Sequence, residues 1–252
     1  MSAALIAALT VCMVGTAFLS GIFGMAGGLI LIGILLAVLP LPEAMALHAV
    51  TQMASNGWRG LLWWRHIRPG AAAGYLLGSV LALLAWSLFR YIPAKPVAML
   101  FLGLAPFLVY ALPARLKPNA ARLDHGIVYG AICMSLLLLT GVVGPLVDTF
   151  FLGGKLGRRE IVATKAFCQV FGHLMKLVYF TAIAASATAI DGTMLVLAIA
   201  ASIIGTTTAR RLLEIMTDGQ FRTWSTRIII SISSFYVLDG FYLLLAPLMG
   251  IA

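Results

Sequence analysis

The sequence predicts an all-α integral membrane protein, built as two inverted-topology repeats with glycine-broken or re-entrant helices near the bilayer midplane. Composition, the end-to-end spacing of apolar runs and a matched pair of polar helix faces predict it. Of the 252 residues, 62% are apolar and 10% charged, and the mean hydropathy is +1.05. A soluble domain carries about a quarter charged residues, so this composition excludes a water-facing surface. The apolar runs each approach the ~20 residues that cross hydrocarbon as a helix. Met1-Ser2-Ala3-Ala4 has no basic n-region, so the first run is expected to belong to the mature protein.

A net charge of +9 would suggest nucleic acid in a soluble chain. In a membrane chain it reads as cytoplasmic loop charge, with the lipid bilayer as partner and no nucleic acid. Cys12, Cys133 and Cys168 lie in apolar runs without CxxC spacing, and His48, His66, His125 and His173 are scattered. No disulfide, metal site or cofactor is expected from them.

In chain order, residues 3–23 are apolar, Gly24-Met25-Ala26-Gly27-Gly28 interrupts, and 29–39 resume. That reads as a helical hairpin or re-entrant pair, ended by Pro40-Leu41-Pro42. Helices at 43–64, 70–91 and 95–113 complete a first repeat, 1–113. Residues 114–123 form a polar connector, and 124–252 form the second repeat. Its segments are 124–143, a short piece between Gly144-Pro145 and Gly153-Gly154, then 160–185, 190–209 and 224–248, with 210–223 as the longest polar loop. Gly70, Gly74 and Gly78, four residues apart, are expected to pack against a neighbouring helix. Trp58, Trp63, Trp64, Trp86 and Tyr91 sit toward segment ends as interfacial anchors.

With the connector cytoplasmic, twelve basic residues (Arg65, Arg68, Arg115, Lys117, Arg122, Lys155, Arg158, Arg159, Arg210, Arg211, Arg222 and Arg227) fall inside. Only Arg90 and Lys95 fall outside. This positive-inside bias requires both termini to be external and the two halves to run in opposite directions. The halves also align. Glu43, Ala46, Ala49 and Gln52 match Glu160, Ala163, Ala166 and Gln169 without a gap, and Ser20-Gly21-Ile22-Phe23-Gly24 matches Thr140-Gly141-Val142-Val143-Gly144. Opposed repeats with interrupted segments in corresponding places are the pattern of a transporter with its site at the repeat interface.

The candidate site lies on two stripes. His48, Gln52, Asn56 and Arg59, spaced 4, 4 and 3, share one helix face, and Lys165, Gln169, His173 and Lys176 repeat that spacing. Thr51 borders the first stripe. Polar groups at that depth need partners or a wet cavity. Amide N–H, imidazole N–H, Arg and Lys are donors suited to oxyanions. The substrate contacts are expected from Gln52, Asn56, Gln169 and His173, with His48, Arg59, Lys165, Lys176 and Asp148 as supporting charge. Gly24, Gly27, Gly28, Gly141 and Gly144 mark breaks where a restarting helix offers free N–H groups to an anion. Asp148 could also pair with a lysine, cap a helix or carry a proton.

Together, Gly21-Ile22-Phe23-Gly24-Met25-Ala26-Gly27-Gly28, Ala46-Leu47-His48-Ala49-Val50-Thr51-Gln52, Gly141-Val142-Val143-Gly144 and Ala163-Thr164-Lys165-Ala166-Phe167-Cys168-Gln169 resemble the TauE/SafE family of sulfite and organosulfonate exporters, also called the 4-toluene sulfonate uptake permease family. The resemblance covers essentially the whole chain. It implies a carrier of small sulfur-containing or carboxylate anions in the cytoplasmic (inner) membrane of a prokaryote. Two features depart from the family pattern: Ile30-Leu31-Ile32 stands where an intramembrane proline is expected, and Pro145-Leu146-Val147-Asp148 replaces the second glycine cluster. The anion site is therefore expected to be better formed in the first half. The reading is a transporter of sulfite or an organosulfonate by alternating access. An anion channel or a small-carboxylate carrier is the alternative. No GxSxG, HExxH or paired-carboxylate motif points to an enzyme. Proton coupling through His173 and a homo-oligomer are both compatible with the sequence.

Overall fold

The computed structural model describes residues 2–23, 26–111, 113, 119–120, 122–152, 156, 158–184, 191–215 and 217–246. Every element among them is helical. The α-helices are α1 (Ala3–Phe23), α2 (Ala26–Val38), α3 (Leu41–Leu62), α4 (Pro69–Phe89), α5 (Lys95–Ala111), α6 (Leu123–Thr140), α7 (Gly144–Leu152), α8 (Arg158–Val178), α9 (Gly192–Ile215) and α10 (Asp218–Leu245). A 3-10 turn, Trp64–His66, follows α3, and π-helical residues Tyr179–Ile183 continue α8.

Six helices are long and apolar enough to cross a membrane: α1, α4, α6, α8 with its π extension, α9 and α10. The chain is a multi-pass membrane protein. α3 has the length, at 22 residues, but its polar stripe dilutes the apolar run. At 1.5 Å per residue α2 spans ~20 Å and α7 ~14 Å, against ~30 Å of hydrocarbon, so neither crosses alone.

Local chemistry sets the helix ends. Pro40 stands at the N-cap of α3 and Pro69 in the first turn of α4, where a missing N–H costs nothing. Asp191 accepts from the Met194 N–H at 3.1 Å, and that bond holds its carboxyl below the usual carboxylate range. Residues 210–223, expected as a loop, are helical on both sides of 216–217. Hydropathy stops where the hydrocarbon stops, but the helices do not. Thr217 and Gln220 close a capping box, at 3.2 Å and 3.1 Å, that starts α10 in the polar zone. The second break also moves from its expected place at Gly144-Pro145. Gly141 adopts φ +82°, a left-handed conformation that ends α6 at Thr140 and leaves Gly144 to open α7.

Four helix pairs dominate the packing: α4 with α6, α1 with α9, α3 with α8, and α5 with α10. Exchanging α1–α5 for α6–α10 in order converts the first pair into the second and returns the other two unchanged. Glycines fix the directions. Gly74 lies against Leu123 and Gly126, and Gly78 against Ile127 and Ala131, so α4 and α6 run parallel. Gly21 meets Thr206 and Ala209 while Gly205 meets Val14 and Ala17, so α1 and α9 are parallel too. Gly57 faces Val170 and Gly60 faces Ala166, which makes α3 and α8 antiparallel. Of the expected packing series, Gly74 and Gly78 are in backbone contact, whereas a Cβ on Gly70 would meet nothing within 4 Å. Among the expected anchors, Trp86 donates to Ser135 Oγ at 3.0 Å and stacks at a tilt on Tyr91.

Candidate functional site

The antiparallel α3–α8 pair brings the two stripes together in the interior. On α3, His48, Thr51 and Asn56 are at most 3% exposed; on α8, His173 is 5% and Lys176 0% exposed. Gln52, Arg59, Lys165 and Gln169 are partly buried. The register runs through His48–Lys176, Gly57–Val170 and Gly60–Ala166. It puts Gln52 level with His173 and Asn56 level with Gln169. The two glutamines occupy equivalent places in the two halves but are not level with each other.

One hydrogen-bonded chain joins both halves. Lys176 Nζ lies 2.8 Å from His48 Nδ1 and donates to the Gly141 carbonyl at 3.1 Å. His48 Nε2 lies 3.0 Å from the Gly28 carbonyl. A carbonyl only accepts, so Nε2 carries the proton and Nδ1 accepts from Lys176. The His173 ring meets that of His48 edge-on at 5.5 Å between centroids. Among the described residues, no carboxylate pairs with His48, His173 or Lys176; the two ion pairs recorded, Arg68–Glu160 and Arg122–Asp124, lie at helix ends.

The basic ends of the stripes are engaged by backbone. Arg59 Nη2 donates to the Ser20 carbonyl at 3.1 Å, as Lys176 does to Gly141. These matched residues thus meet the C-terminal ends of α1 and α6, the two helices that precede the breaks, where cations are favoured. Thr51 donates to the His48 carbonyl at 2.8 Å, which spends its one donor hydrogen, and Asn56 donates to the Gln52 carbonyl at 2.9 Å. The second amide hydrogen of Asn56 remains.

Of the glycines, Gly27 and Gly28 lie inside the first turn of α2 rather than in the break, and Gly144 opens α7. A Cβ on Gly28 would stand 3.1 Å from Gln52 Oε1, so glycine lets the Gln52 amide reach the start of α2. Gly24 and the side chain of Asp148 lie outside the described residues. No cluster of three His, Cys, Asp or Glu side chains among the described residues could hold a metal.

The whole length of this architecture, from α1 into α10, is matched by the family model "Sulfite exporter TauE/SafE", over residues 8–236. The chain belongs to the TauE/SafE family. No curated protein and no solved structure matches it. TauE/SafE is a transporter family, so the buried stripes belong to a transport protein rather than an enzyme.

Sequence reading found both stripes but not their mutual contact, because helix periodicity carries no register between helices. It also passed over Ser20 and the Ser55–Thr206 hydrogen bond of 2.8 Å that ties α3 to α9. The signal for Ser20 was present: it heads the first aligned break, opposite Thr140.

Proposed function

We propose that this TauE/SafE protein is a secondary transporter of a small sulfur oxyanion, sulfite or an organosulfonate, acting by alternating access around the α3–α8 interface. The observation that carries the reading is the burial of two donor-rich faces against each other, with His48, His173 and Lys176 unpaired to carboxylate among the described residues. Gln52 and Asn56 from one half and Gln169 and His173 from the other supply N–H groups to the anion, and the first turns of α2 and α7 add backbone N–H groups.

The reciprocal helix packing supports two repeats of opposite orientation. The bias of basic residues supports a topology with 115–122 and 210–222 on the cytoplasmic side and both termini outside, and the family resemblance supports a prokaryotic inner membrane. His173 Nδ1 is buried without a hydrogen-bond partner among the described residues. It offers a position for a proton that enters with the anion, so the transport is read as proton-coupled.

The test is flux in proteoliposomes containing the full chain. Saturable uptake of labelled sulfite, accelerated by unlabelled sulfite on the opposite side, is expected. A single-channel conductance in its place would make the protein a channel. Absence of flux for sulfite, methanesulfonate and acetate alike would end the reading.

A further inference from the structure

Ser20 and Thr140 occupy matched positions just before the two breaks, and both are buried, at 2% and 0% exposure. Their hydroxyls differ in state. Thr140 Oγ1 lies 2.9 Å from the Leu136 carbonyl and 2.6 Å from the Val142 carbonyl, and it accepts from the Val142 N–H at 3.2 Å. It is consumed in closing its own break. Ser20 Oγ is buried with no hydrogen-bond partner among the described residues, although an unused buried hydroxyl is costly.

Its surroundings say what it faces. A Cβ on Gly27 would run into the Thr16 carbonyl oxygen and stand 2.5 Å from Ser20 Oγ, so α1 packs backbone to backbone on the first turn of the 13-residue helix α2 with the Ser20 hydroxyl beside that contact. The N–H groups of that turn have no partner within the helix. On the next residue, Gly28, the equivalent space is filled by the Gln52 amide, with the acceptor Oε1 3.1 Å and the donor Nε2 3.4 Å from a Cβ placed there. Two consecutive glycines therefore bring a hydroxyl from α1 and an amide from α3 to one helix N-terminus. Arg59 reinforces the positive sign from the Ser20 carbonyl, 3.1 Å away.

We infer that Ser20 is a substrate-binding and specificity-determining residue. Its hydroxyl, the Gln52 amide and the first-turn N–H groups of α2 form a three-sided oxyanion cradle in the first half. Three donor groups arriving from three helices suit the three oxygens of a sulfite or sulfonate pyramid better than the two oxygens of a planar carboxylate. At the second break Thr140, the residue matched to Ser20, spends its hydroxyl on the Val142 backbone, so no equivalent free hydroxyl is offered there among the described residues. This inference rests on the transport reading above and deepens it.

The experiment is equilibrium binding of sodium sulfite, methanesulfonate and acetate to the purified full chain, with transport measured in parallel. Ser20→Ala should weaken sulfite and methanesulfonate binding about tenfold, the scale of one hydrogen bond to an anion, and change acetate binding less than threefold. Ser20→Cys, which keeps the shape at a slightly larger size and weakens the donor, should show the same order of loss. Ser87→Ala, at a hydroxyl bonded to the Leu83 carbonyl, should leave binding unchanged. If both Ser20 variants bind sulfite as the wild type does, while Gln52→Ala does not, the inference is overturned and the transport reading stands. If the wild type binds none of the three anions, the transport reading falls and takes the inference with it.

Discussion

Replacing Gly78 by alanine should loosen the α4–α6 pair, and the structure sets the size of the effect. The added Cβ would run into the Ile127 carbonyl oxygen and lie 2.7 Å from its carbon and 2.9 Å from the Ala131 nitrogen. Carbon atoms settle at about 3.5–4.0 Å, so α6 would have to retreat by more than about 1 Å. The contact is with backbone, which cannot rotate aside as a side chain does. Overpacking of this kind costs about 1–3 kcal/mol. A clash with a carbonyl oxygen lies at the top of that range, and the better helix propensity of alanine returns at most ~1 kcal/mol, leaving a net loss of about 2 kcal/mol. Gly70→Ala is the control on the same helix. Nothing lies within 4 Å of its added Cβ, so its effect should stay within about 0.5 kcal/mol. Reversible unfolding of both variants in mixed detergent micelles measures the difference. Equal stability of the two would refute the argument that α4 and α6 touch backbone to backbone at Gly78.

Three other outcomes are expected. In a cysteine-free background, Gly60→Cys with Ala166→Cys should cross-link on oxidation, because the Cβ positions lie 3.9 Å apart, close to the ~3.8 Å of native disulfides; flux should stop on oxidation and return on reduction, and undiminished flux in fully cross-linked protein would exclude movement at the α3–α8 interface. His173→Gln should flatten the pH dependence of apparent sulfite affinity while retaining some transport, and an unaltered profile would leave His173 as a hydrogen-bond donor and direct the search for a coupling group to Asp148. Single cysteines at Asn119 and Asp191 should respectively resist and react with an impermeant thiol reagent applied outside, and the reverse pattern would invert the assigned topology.

Much of the fold was legible because membrane helices announce themselves by length and apolarity. The spans at 3–23 and 70–91 correspond to α1 and α4 within two residues. The errors occurred where hydropathy and hydrogen bonding part company. α10 begins ahead of its apolar run because Thr217 and Gln220 cap it there, a local bond that an averaging window smooths away. The second break was misplaced by about three residues because Pro145 is the conspicuous residue, yet Gly141 is the one in a left-handed conformation. At the candidate site, the two polar faces were readable from the 4, 4 and 3 spacing, and their partners were not. Arg59 and Lys176 looked like donors awaiting an anion. In the folded chain each is already bonded to a carbonyl at a helix end, a pairing that depends on where α1 and α6 stop rather than on the stripe itself.

That pairing bears on the sign of the ion. A helix interrupted inside a membrane presents two opposed poles at the gap, carbonyl oxygens from the half that stops and N–H groups from the half that restarts. Uncovered, such a junction could receive an ion of either charge. Arg59 on the Ser20 carbonyl and Lys176 on the Gly141 carbonyl each cover one carbonyl of the negative pole at its gap, which tilts the junction toward an anion. On the proposed transport reading, charge selection would fall to two residues far in sequence from the glycines that make the gaps. The same scaffold with neutral side chains at 59 and 176 would keep its broken helices and hold out bare carbonyls, the ligands a cation seeks.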